Sequence, residues 1–429
     1  MNRQILRLAI PNIISNISVP LISAVDTALM GHLSSGHLAA LGIGAMIFVF
    51  LYGSFNFLRM GTTGLTAQAF GENDSKEMAN TLFRAIMIGL FIAVVLMLFR
   101  APLLEISSYL MNVDASYHDK VARYFDIRIY AAPAVLLQFA LMGWFFGMQN
   151  AIIPLLMTLV INLVNIFLSY YLVNHLHLGI EGAAYGTLVA QYIGVVFGFI
   201  MIARYSDILK LASYHDSLQK EKLLRFFSVN KDIFIRTLAL TFSLAFFYSQ
   251  AAKHSQETLS TMVLLLQFMI WMAFALDGFA NAAESLVGKY YGAKDWKNFN
   301  KAIAYNFYWA GGFALMFSLV YYFFGKTLLE LYTNQTHLIT LSLPYMWLVA
   351  LLPLLSFVAF IFDGVFVGMT ASKSMRDAVL LSTLLFVGIF YLTRGIDYAW
   401  ALWGSFVLFF VFRGLLQSWM FYKKGRGLR

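Results

Sequence analysis

The chain has 429 residues, 60% of them hydrophobic and only 12% charged, with a formal charge of +9 and no cysteine. Its mean hydropathy is +0.73. Water-soluble domains carry about twice that charge fraction, so the composition excludes a sizeable soluble domain and any thiol chemistry. What remains is an all-α polytopic membrane protein.

Apolar windows predict twelve transmembrane helices, near 8–30, 40–69, 79–100, 122–147, 152–174, 180–203, 232–252, 259–288, 301–325, 340–368, 376–393 and 398–420. The second, eighth and tenth exceed the roughly 20 residues that a bilayer core needs, which implies tilt or projection. Assigning each Lys and Arg to the nearer connection puts most of them on the side of both termini. That excess predicts an even number of spans in the plasma (inner) membrane with both termini cytoplasmic. Arg59 and Arg128 are read as the basic residues within spans. The same placement accounts for the net charge, so nucleic acid is no partner, and the tail Lys423, Lys424, Arg426 and Arg429 reads as a lipid-headgroup signal.

The first span carries one carboxylate, Asp26, six residues after Pro20, where the helix is expected to bend. An ionised carboxylate at mid-membrane costs roughly 2.5–3.5 kcal/mol. Neutralising it at pH 7, from an ordinary pKa of about 3.9, costs about 4 kcal/mol. The costs are similar, so Asp26 is a candidate protonation switch. Arg59 in the second span reads as structural, and Asp126 with Arg128 in the fourth as an ion pair near the outer surface. The fifth and sixth spans offer Asn162, Asn165 and Ser169, then Thr187 and Gln191, as hydrogen-bonding groups for an N-lobe cavity. In the eighth, Asp277, Asn281 and Glu284 recur at i, i+4 and i+7, on one helical face. The tenth places Asp363 after a second bending residue, Pro353. All eight histidines, His32 among them, fall in connections or at span ends, which argues against an intramembrane histidine relay. No phosphate-binding loop or hydrolase string occurs, so an enzyme is disfavoured.

One gapless offset of 221 residues pairs Gly71 with Gly292, Asp74 with Asp295, Tyr124 with Tyr345, Gly143 with Gly364 and Gly147 with Gly368. The halves therefore read as parallel six-helix repeats: an N-terminal lobe 1–203, a cytoplasmic linker 204–231 and a C-terminal lobe 232–429, around a central cavity. Asp26 has no acidic counterpart at that offset, where Phe247 stands.

The strings NISVPLISAVDTALMGHL at 16–33, FLRMGTTGLTAQAFG at 57–71, ALDGFANAAESLVGKYYGAKD at 275–295 and FDGVFVGM at 362–369 resemble the MATE (multidrug and toxic compound extrusion) family, in its DinF-like branch. The resemblance implies a twelve-helix carrier that exports organic cations or other amphiphiles by antiport with H+ or Na+. The family's first-helix acid matches Asp26, its fifth-helix asparagine Asn165, its sixth-helix threonine Thr187, and its tenth-helix acid Asp363. Where many relatives have an acid four residues after that asparagine, this chain has Ser169, and Gln191 also stands where an acid is common. A sodium ion wants several oxygens and compensating charge, whereas proton coupling needs one carboxylate. The expectation is proton coupling at Asp26, no cofactor and a monomer, with a sodium ion near Asp277 and Asp363 as the rival scheme. The alternative function is a flippase for a lipid-linked amphiphile.

Overall fold

The computed structural model describes residues 1–31 and 34–425; His32, Arg426 and Arg429 lie outside the described residues. No strand occurs among the described residues. Eleven helices there are long and apolar enough to cross a membrane, and the 30-residue helix α1, Asn2–Gly31, is a further long one. In order these eleven are α2 Gly36–Glu72, α3 Ser75–Leu98, α4 Ala115–Gly147, α5 Ile152–Asn174, α6 Gly179–Leu209, α7 Lys220–His254, α8 Gln256–Gly292, α9 Trp296–Tyr332, α10 Thr336–Gly368, α11 Ser372–Thr393 and α12 Tyr398–Lys424. At 35 residues for α7 and 37 each for α8 and α9, several outrun a ~30 Å core. Their ends carry charges that the expected spans leave out, such as Lys220, Glu221 and Lys222 on α7.

The chain divides into two compact units, Ile14–Phe227 and Met1–Ile13 with Ser228–Arg429. Two helix starts are capped by carboxylates in the same way. Asp74 caps α3 by accepting from the Glu77 N–H at 2.9 Å, and Asp295 caps α9 by accepting from the Asn298 N–H at 3.1 Å. The preceding residues, Asn73 and Lys294, take the left-handed backbone with φ of 57° and 54°. These two corners lie 221 residues apart, like the sequence pairs, so the repeat is one of backbone conformation as well as sequence.

The 221-residue repeat is also visible in helix packing. In the first unit, a Cβ on Gly143 would strike the Arg59 carbonyl and one on Gly147 would strike Thr66. In the second, Gly364 and Gly368 press in the same way on the Ala280 and Glu284 carbonyls. Small residues let α2 and α4, and α8 and α10, cross backbone to backbone. Gly364→Ala is therefore expected to lower stability by about 1–3 kcal/mol through overpacking, read as the thermal midpoint in detergent. Gly312→Ala, at a position with no atom within 4 Å of the new methyl group, is the control, and equal midpoints would refute the crossing argument.

The connection after α6 is tied down within the first unit. Asn80 Oδ1 accepts from the Ser213 N–H at 2.9 Å and the Ser217 hydroxyl at 3.0 Å. Arg84, 2% exposed, donates to the Ser217 carbonyl and to Glu77, both at 3.0 Å. At the Asp295 corner, the Asn298 backbone N–H holds the carboxyl below its ordinary value of 3.8. A depressed folded pKa stabilises above the ordinary value and is lost as pH falls through the folded one. The gap in thermal midpoint between the parent and Asp295→Ala should thus be open at pH 7 and close below about pH 3.8; a pH-independent gap would contradict it.

Candidate functional site

In the first unit, the C-terminal part of α1 lies against α5, and Asp26 faces groups of α4 and α5. Asp26 is 7% exposed, and its Oδ1 has no hydrogen-bond donor. Ser169 on α5 and Arg128 on α4 are the side chains that act on this carboxyl, and Tyr124 acts on both it and Arg128. α1 is helical straight through Pro20, so the residue that lacks a backbone donor sits within the helix that carries the acid.

Arg128 does not pair with Asp126. Asp126 is exposed, while the Arg128 guanidinium stands 5.2 Å from the Phe48 ring and 5.9 Å from Tyr124. The correction has a simple cause: residues two apart on a helix point to different sides. The Tyr52 hydroxyl donates to the Arg128 carbonyl at 2.8 Å, which fixes the same turn. Arg59 bonds Asn56 Oδ1 at 3.2 Å and lies 5.8 Å from the Phe146 ring.

The expected polar groups divide. Asn165 is fully buried; its Nδ2 donates to Thr187 Oγ1 at 2.9 Å, and that hydroxyl donates to the Ala183 carbonyl at 2.9 Å. Asn165 Oδ1 and Gln191 Oε1 are buried without a hydrogen-bond partner, while Ser169 Oγ is turned to the Asp26 carboxyl. Asn165 and Ser169 are one turn apart on α5, as are Thr187 and Gln191 on α6. Gly186 makes room for the Ser169 hydroxyl, because a Cβ there would approach it to 2.6 Å. Asn162 turns instead to α1 and donates to Ser18 Oγ at 2.9 Å and to its carbonyl at 3.1 Å. A buried oxygen without a donor costs roughly 1–3 kcal/mol, and Asp26 Oδ1, Asn165 Oδ1 and Gln191 Oε1 are three such acceptors in the first unit.

The second unit holds a different arrangement. A cavity of about 250 Å³ is lined by Arg236, Asp277, Arg413 and the rings of Phe360, Phe406 and Phe410, among others. At its charged end Asp363, 5% exposed, accepts from both Arg236 and Arg413 through Oδ2, and from Gln417 Nε2 at 2.6 Å through Oδ1. Both carboxylate oxygens are thus occupied by cationic or amide donors, and a sodium ion at Asp363 would have to displace guanidinium groups. Asp277 is exposed. Asn281 Nδ2 reaches Asn12 Oδ1 at 3.4 Å, and Glu284, 1% exposed, is enclosed rather than reaching water. The three share a helix face yet end in three environments. Pro353 lies inside α10, ten residues before Asp363. Among the described residues, no group of three or more His, Asp or Glu could hold a metal ion.

Arg236, Arg413 and Gln417 are the site groups that sequence reasoning misses. Counting every basic residue toward the nearest connection hides both arginines, although they fall inside the predicted spans 232–252 and 398–420. An arginine and an acid both at membrane depth is the signal that would have found them.

The MatE family model matches residues 11–171 and 233–392, two segments that follow the repeat. The chain is 32% identical over 413 residues to DNA damage-inducible protein F of Escherichia coli, covering 95% of this chain and 89% of that one. It is 25% identical to Protein DETOXIFICATION 44, chloroplastic, of Arabidopsis thaliana, over 97% of this chain and 81% of that one. It is 22% identical to a probable multidrug resistance protein NorM of Thermotoga maritima, over 80% and 74%. Among solved structures, MATE in the bent conformation superposes with a TM-score of 0.93 at 18% identity, covering 100% of this chain and 96% of that one. The Vibrio cholerae MATE transporter VcmN in the bent form gives 0.88 at 19%, covering 99% and 97%. These last two likenesses concern the fold.

Proposed function

The chain belongs to the MatE family, and from that premise we propose that it is a secondary active exporter. It moves organic cations or amphiphilic toxic compounds outward in exchange for protons, by alternating access of its two repeats. It acts as a monomer in the plasma membrane with both termini cytoplasmic. No cofactor and no catalytic residue enters this reading.

The observation that carries it is Asp26: a carboxyl 7% exposed, in a helix otherwise poor in charge, with Ser169 beside it. Proton coupling needs this one group to gain a proton from outside and lose it inward. Sodium is the weaker choice at this site. Asp26 is the only carboxylate among the expected cavity groups, and Arg128 already contributes a positive charge there, whereas a hard cation wants several oxygens with compensating negative charge. In the cycle, the protonated carboxyl releases its hold on a cationic substrate, and α1 adjusts around Pro20.

The test is flux in proteoliposomes under pH, sodium and voltage gradients imposed one at a time, with an ethidium-like cation as cargo. A pH gradient alone should drive export, and a sodium gradient alone should not. Export that follows sodium and ignores pH would overturn the coupling, and no gradient-driven flux of any kind would overturn the exporter reading.

A further inference from the structure

We propose that a polar cavity between the start of α1, the end of α8 and the start of α9 binds a phosphate-bearing anion. The cavity lies within the second unit and measures about 560 Å³. Asn298, Lys301 and Tyr305 line it from α9, at the three- and four-residue spacings that share a helical face. Tyr290 lines it from α8, and Arg3 and Gln4 from α1. Among the described residues no Asp or Glu lines it, and neither Arg3 nor Lys301 forms an ion pair. Asp295, the acid bonded to this lining, has both oxygens on Asn298 and the charge of Lys297 acting on it. Its charge is thereby matched, and Arg3 with Lys301 leaves the cavity cationic.

The neutral groups point to the same ligand, because their acceptors are already used. Trp309 Nε1, which can only donate, bonds Asn2 Oδ1 at 3.2 Å, and the Tyr290 hydroxyl donates to Gln4 Oε1 at 3.1 Å. Both amides line the cavity, and among the described residues neither amide nitrogen has an acceptor. What remains is a guanidinium, an ammonium and two amide nitrogens, all of them donors. A phosphate group supplies negative charge and several acceptor oxygens at once. Charge-assisted bonds to it are about twice as strong as neutral ones. Donors spread over α1 and α9 suit a tetrahedral group better than a planar carboxylate. Tyr290, Tyr305 and Trp309 are side chains of the kind that gather at headgroup depth. An anionic lipid is therefore one source of the phosphate, and the aqueous phase is the other.

The experiment uses the full chain in phosphatidylcholine nanodiscs and two probes. Inorganic phosphate is read by equilibrium dialysis, and phosphatidylglycerol doped into the discs is read as lipid retained in native mass spectrometry. The parent should bind phosphate, or retain phosphatidylglycerol at least tenfold over phosphatidylcholine. Gln4→Glu keeps an oxygen for Tyr290 and replaces the unused amide nitrogen by an acceptor. That variant and Lys301→Gln, both at exposed side chains, should each lower binding at least tenfold. Arg3→Gln is the second variant if Gln4→Glu fails to fold. Lys423→Gln removes one positive charge on α12, outside the cavity, and should change binding less than twofold. Phosphate binding with this pattern assigns the site to a free anion, and lipid retention with it assigns the site to a headgroup; either supports the proposal. Binding of neither probe, binding indifferent to the folded cavity variants, or an equal loss in Lys423→Gln overturns it. The last of these would mean attraction to surface charge alone.

Discussion

Asp26→Asn is expected to reduce pH-gradient-driven export to the level of protein-free liposomes while leaving the thermal midpoint nearly unchanged. The substitution keeps the side-chain shape and an oxygen for Ser169, and removes only the ability to exchange a proton. Each unit of pH gradient is worth about 1.4 kcal/mol per proton, or about tenfold accumulation of cargo. A carrier that cannot load the proton forfeits all of that, so the effect is on coupling rather than on rate alone. Substrate binding in detergent provides the second readout. In the parent it should fall as pH drops through the range where the carboxyl protonates, and in Asp26→Asn it should be flat with pH. Retained pH-driven export in the variant would sink the assignment, and would leave the remaining acceptors, Asn165, Ser169 and Gln191, as dipoles without a coupling role.

The fold was legible because membrane spans announce themselves by length and hydropathy, and because a repeat preserves its corners. Asp74 and Asp295, or Gly143 and Gly364, are fixed by capping and by helix contact, which leave little choice of residue. Helix ends were less legible. α7 to α9 extend beyond the lipid on polar turns that a hydropathy window rejects. The N-terminal site was partly readable, since Asp26, Asn165 and Thr187 are polar groups at membrane depth with few alternatives. The direction in which each points was not: Asn162 looks like its neighbour one turn on, yet it serves α1. The charges misled most. Arg128 follows Asp126 in sequence but faces Phe48 and Tyr124. Arg236 and Arg413 sit close enough to span ends to pass for loop charges, although they meet Asp363 inside the second unit.

That meeting makes the two buried acids opposites. Asp363→Asn is expected to destabilise the protein by about 3–5 kcal/mol, the penalty for leaving buried partners of an ion cluster uncompensated. The reason is geometric: Asp363 Oδ2 lies between Arg236 on α7 and Arg413 on α12, so an amide there faces two guanidinium groups with no charge to divide. The loss should appear as a lowered thermal midpoint in detergent and as proteolytic sensitivity of the second unit. Removing one cation as well should restore much of it. Asp363→Asn with Arg236→Gln leaves a single guanidinium beside an amide, and the double variant should be more stable than the sum of the single changes by about 0.5–3 kcal/mol. A stable Asp363→Asn protein that had lost sodium-stimulated transport would instead make the acid an ion ligand and reinstate the sodium scheme. In the proposed cycle Asp26 changes its charge state, whereas the charge of Asp363 ties α7, α10 and α12 of the second unit together.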